Sequence, residues 1–134
     1  MEAHLRFIGI LLIVLALTHA IFPWYFKWRE EQARLSLINR QVMRVHTAFI
    51  AFTVLLMGLL SYARAEALVN TELGRLICLG FGAFWGLRLL IQFFGYSPEL
   101  WRGKAFETGV HVVFSCAWVY FTWVYLKVGL GGGG

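Results

Sequence analysis

The chain has 134 residues, of which 60% are hydrophobic and 14% charged, with mean hydropathy +0.69 and a formal net charge of +5 at pH 7. That profile, with no Asp anywhere, excludes an ordinary soluble domain and fits a polytopic membrane protein. The cations mostly flank the apolar stretches, so the positive balance points to anionic lipid and not to nucleic acid.

A transmembrane helix needs roughly 20 predominantly apolar residues. Four segments qualify: Phe7 to Phe26, Val45 to Ala63, Leu76 to Phe94 and Phe106 to Leu126. They predict an all-α integral membrane protein, a four-transmembrane-helix bundle forming a single domain over residues 1–128, followed by a Gly-rich tail at 129–134. The first segment is longer than the apolar region of a secretory signal and ends in Pro23, Trp24, Tyr25 and Phe26 instead of a small-residue cleavage site, so it is retained as helix one.

Between helices one and two, Trp28, Leu35, Ile38, Val42 and Val45 recur at helical spacing, with Arg29, Arg34, Arg40 and Arg44 mostly on the other arc. This is the pattern of an amphipathic interfacial helix whose arginines meet anionic lipid. It is equally the pattern of an N-terminal extension of helix two. Naming the N-terminal side A, the loops 27–44 and 95–105 fall on side B and 64–75 on side A. Side B then carries Lys27, Arg29, Arg34, Arg40, Arg44, Arg102 and Lys104, against Arg6, Arg64, Arg75 and Lys127 on side A. The bias makes side B cytoplasmic and both termini extracytoplasmic. Trp24, Tyr25, Trp28, Tyr96 and Trp101 fall at side B, and Tyr62, Trp123 and Tyr125 at side A, as interfacial anchors do.

In helix three, Cys78, Gly82 and Gly86 form a strip of small residues, with Arg88 and Gln92 on its flank, while Leu76, Leu79, Ala83, Leu87, Leu90, Ile91 and Phe94 cover the opposite side. The small and polar half is expected to face protein, since an intramembrane guanidinium costs about 3 kcal/mol on insertion scales and needs a partner. Helix four carries Glu107, His111, Ser115, Trp118 and Thr122 along one face. Arg88 lies about 9 Å from the B end of its helix, within reach of Glu107 as an ion-pair partner. The two cysteines, Cys78 and Cys116, differ in depth and predict no disulfide.

His19, His46 and His111 fall in the same leaflet near side B, while His4 lies at the other end and joins no cluster. Three imidazoles with Glu107 are ligands of the kind that zinc or iron takes, and two histidines on facing helices can hold a haem. The spacing offers no His-x-x-x-His, Cys-x-x-Cys or Glu-x-x-His, however, and Arg88 would repel a metal cation. No phosphate-binding loop or nucleophile elbow appears, so the sequence assigns no catalytic residue and leaves open whether the protein is an enzyme. The leading expectation is a non-catalytic subunit or scaffold of a membrane assembly, as a homo-oligomer or within a larger complex, with a buried cluster of Arg88, Gln92, Glu107 and the histidines. The alternatives are a metal-, haem- or quinone-binding redox protein, and an oligomeric small-solute or anion transporter or channel with Arg88 and Gln92 on its path.

Overall fold

The computed structural model describes the backbone of residues 1–25, 34, 36–94 and 105–131, and the side chains of these except 20–25 and 107. Every element in it is a helix: α1 (Glu2–Tyr25), α2 (Leu37–Ala63), α3 (Ala65–Asn70), α4 (Glu72–Phe94) and α5 (Ala105–Gly129). Four of them are long and apolar enough to cross a membrane, over Glu2–His19, Leu37–Ala63, Glu72–Phe94 and Thr108–Gly129.

The sequence signals that start and stop these helices are local. Ser36 caps α2 from an extended backbone conformation, its hydroxyl accepting from the Asn39 N–H at 3.3 Å. From there α2 runs unbroken for 27 residues, about 40 Å. Residues 37–45 are therefore the first turns of helix two and not part of a separate interfacial helix, because neither Gly nor Pro interrupts the chain before Gly58. The outward apolar stripe Ile38, Val42, Val45, Phe49, Phe52, Leu56 and Leu59 is likewise continuous, and all seven residues are exposed. The beginning of the expected amphipathic segment, 28–33 and 35, lies outside the described residues. On side A the expected loop is mostly the six-residue helix α3. Thr71 separates α3 from α4, its hydroxyl donating to the Ala67 carbonyl at 2.6 Å and accepting from the Gly74 N–H at 2.9 Å. Gly131, at φ 85, ends α5 in the left-handed conformation that glycine adopts without strain.

Contacts divide the chain into two compact units, Arg6–Arg64 and Met1–Leu5 with Ala65–Gly134. In the first, α1 and α2 touch backbone to backbone: a Cβ built on Gly9 would lie 2.7 Å from the Gly58 carbonyl oxygen, and one on Gly58 would lie 2.8 Å from the Gly9 oxygen. Val54, Met57, Gly58 and Ser61 form the buried face of α2.

In the second unit, α4 and α5 run antiparallel. Leu79 meets Gly129, Gly82 meets Leu126 and Gly86 meets Thr122, so one helix climbs as the other descends. The small-residue strip of α4 faces α5 as its spacing predicts, with Cys78 and Gly82 buried. Three expectations change here. Leu79, assigned to the outer side, packs on Gly129, and Gly129 thereby belongs to the packed helix and not to the tail. Tyr125, expected as an interfacial anchor, is 0% exposed with its ring edge-on to Phe81 at 5.3 Å. Helix periodicity carries it inward, seven residues beyond Trp118 on the same face.

Candidate functional site

The polar centre of the α4–α5 unit is Gln92, only 5% exposed. Arg88, one turn earlier on α4, donates from Nη1 to Gln92 Oε1 at 3.2 Å, and the Trp118 indole N–H of α5 donates to the same oxygen at 3.4 Å. Gln92 Nε2 and His111 Nδ1 are 3.0 Å apart. The Ser115 hydroxyl donates to the His111 carbonyl at 2.7 Å, and the Arg88 guanidinium carbon stands 5.3 Å from the Trp118 ring centroid. The guanidinium is thus offset by an amide oxygen and an aromatic face, both suited to a cation in a low-dielectric setting.

Donor chemistry fixes the orientation of the whole cluster. Arginine and the indole N–H can only donate, so the Gln92 oxygen must face Arg88 and Trp118 and its NH₂ must face His111. His111 Nδ1 therefore accepts, which makes the ring neutral with its proton on Nε2. Around this centre the rings of Trp85 and Trp118 stack at 4.9 Å, Phe114 lies nearly parallel to Trp118 at 5.4 Å, and Phe93 is edge-on to His111 at 6.0 Å. Trp85 is 2% exposed, and its enclosed indole nitrogen has no hydrogen-bond partner among the described residues.

The structure thus brings together Arg88, Gln92 and His111 from the sequence-predicted set. The Glu107 side chain, the expected ion-pair partner of Arg88, lies outside the described residues. His19 donates from Nδ1 to the Leu15 carbonyl of its own helix at 2.8 Å, and His46 is exposed on α2. Among the described residues no group of three His, Cys, Asp or Glu side chains is placed to hold a metal ion. Cys78 and Cys116 are both free thiols.

Sequence reasoning missed two features. Trp85 escaped because an aromatic among apolar neighbours carries no polar signal, although its spacing from Cys78 and Gly82 places it on the buried face. His4 joins a cluster after all: its Nδ1 is 2.6 Å from the Tyr120 hydroxyl, and its ring is edge-on to Tyr120 and Trp123 at 5.9 and 6.5 Å. Lys127 Nζ sits 4.8 Å from the Trp123 ring centroid. The partners are 116 positions apart in the chain, beyond any local pattern.

Comparison with protein-family models, with curated proteins and with solved structures finds no match for this chain. The functional reading therefore rests on geometry.

Proposed function

We propose that this protein is a multi-pass integral membrane protein acting as a non-catalytic subunit or scaffold of a membrane assembly. The observation that carries this reading is the internal bonding of the polar cluster around Gln92. The most buried amide, Gln92, directs its oxygen to two donors and its nitrogen to His111, all within one helix pair. Such a network specifies how α4 and α5 pack and commits its most enclosed polar group to structure, not to a substrate. Outside this centre the helices present large apolar side chains, among them Leu73, Leu76, Leu87 and Leu90 on α4 and Val112, Val113 and Val119 on α5. Apolar cover of this extent fits acyl chains and neighbouring transmembrane helices.

The deciding experiment is gentle extraction from the native membrane followed by native mass measurement. A species heavier than the 15.3 kDa chain after subtraction of detergent and lipid is expected, and recovery of the chain alone would sink the subunit reading. An absorption spectrum and metal analysis of the same sample address function directly. A haem band or stoichiometric zinc or iron would replace this reading with a redox or metalloprotein using His19, His46, His111 and Glu107.

For orientation, the cation bias supports a cytoplasmic side B with both termini extracytoplasmic. Ser36 and Asn70 are exposed and lie on opposite sides in this arrangement. In intact cells, Asn70→Cys is expected to react with an impermeant thiol reagent and Ser36→Cys to stay protected, in a background with Cys78 and Cys116 replaced by Ala. The reverse labelling would invert the assignment.

A further inference from the structure

We propose that the first two turns of α2 form a binding site for the phosphate of an anionic phospholipid, held by Arg40 and Arg44. Arg40 lies on the same helical line as Thr47, Val54 and Gly58, so its stem is partly covered while its charge sits near the helix start. Its Nε is enclosed and has no acceptor among the described residues. A guanidinium with one N–H unpaired among the described residues is costly to hold, and an anion meeting its other N–H groups offsets that cost. Arg44, one turn further on at about 6 Å along the axis, adds a second cation on nearly the same side.

Charge complementarity sets the sign of the ligand. Throughout α2 there is no acidic residue, while Arg40 and Arg44 both fall near its start. The apolar stripe on the adjoining arc sets its source. Ile38, Val42 and Val45 are exposed beside the arginines, and the stripe continues to Leu59, a span of about 32 Å at the helical rise. That length matches the hydrocarbon thickness of a bilayer, roughly 30 Å. A helix immersed over that stripe holds Arg40 and Arg44 just inside the headgroup boundary. From there arginines snorkel to lipid phosphate, at a depth that free phosphate does not populate. The partner is therefore a phospholipid, and the excess of cations favours a net negative headgroup over a zwitterionic one.

The test uses the purified full chain in phosphatidylcholine vesicles containing a minority of phosphatidylglycerol. Spin-labelled forms of each lipid report the fraction held at the protein surface. A preference for phosphatidylglycerol of about five-fold or more is expected, the factor that one surface arginine supplies, and it should weaken as salt is raised. Arg40→Gln with Arg44→Gln should bring the ratio close to one, whereas Arg64→Gln, at the other end of α2, should leave it unchanged. The pair Arg40→Lys and Arg44→Lys, which keeps the charge, should retain most of the preference, and it decides the matter with the salt titration if the Gln pair does not fold. Equal retention of both lipids by the native chain overturns the proposal. So does a preference that survives the Gln pair, or one that follows Arg64.

Discussion

Replacing Gly9 with Leu is expected to unseat the α1–α2 pairing, and replacing it with Ala to cost about 2 kcal/mol in detergent unfolding experiments. The new Cβ would stand 2.7 Å from both the Gly58 carbonyl oxygen and the Tyr62 backbone nitrogen, and 2.9 Å from the Tyr62 Cβ. None of these atoms is the end of a flexible side chain, so the helices themselves must separate. Separation forfeits the close packing between the two helices. Gly80 supplies the control, since a Cβ there meets nothing within 4 Å. Gly80→Ala should be neutral or stabilising by up to about 1 kcal/mol, the helix propensity difference. Equal unfolding midpoints for Gly9→Ala and Gly80→Ala would remove the close contact from the account.

Gln92→Leu is expected to be at least as damaging, by about 3 kcal/mol or more, because three groups lose a partner in one step. The Trp118 indole N–H, Arg88 and His111 all bond to this amide. A buried group deprived of its partner costs about 1 to 3 kcal/mol. Gln92→Glu separates a network from simple packing. Its carboxylate can accept from Arg88 and Trp118 as the amide oxygen does, and from His111 once that ring carries its proton on Nδ1. It should therefore lose much less stability than Leu. Nitrogen NMR of the native chain should show His111 with Nδ1 unprotonated and Nε2 protonated. Equal losses for Leu and Glu, or a proton found on His111 Nδ1, would show that the amide does not organise the cluster.

The sequence alone determined what composition and period determine. Long apolar runs made helices, through Gly9, Gly58, Gly82 and even Pro23, and the four long apolar helices follow from that. The inward face of α4 was legible because Cys78, Gly82 and Gln92 differ in size or polarity from Leu76, Leu87 and Phe94, so a period of 3.6 sorted them. The same held for Ser115, Trp118 and Thr122 on α5. In α2 the sequence left a choice between an interfacial helix and an extension of the span, and the continuous helix from Leu37 answers it for the described part.

Only the tertiary structure decided who meets whom. The Gly9–Gly58 contact was invisible because α1 is apolar all round from Phe7 to Leu17, leaving no polar face there to point away from. Nor could local pattern bring His4 to Tyr120 across the length of the chain. Gln92 was readable as a flank of Arg88, and charge drew attention to the arginine first. The centre nevertheless belongs to the amide, because it is buried and its oxygen and nitrogen together meet Arg88, Trp118 and His111. Arg88 can only donate and the Trp118 N–H can only donate, so two helices bearing them need an acceptor between them. Which residue supplies it depends on how α4 and α5 are rotated about their axes, and that rotation is set by the packing of Leu79 on Gly129, Gly82 on Leu126 and Gly86 on Thr122.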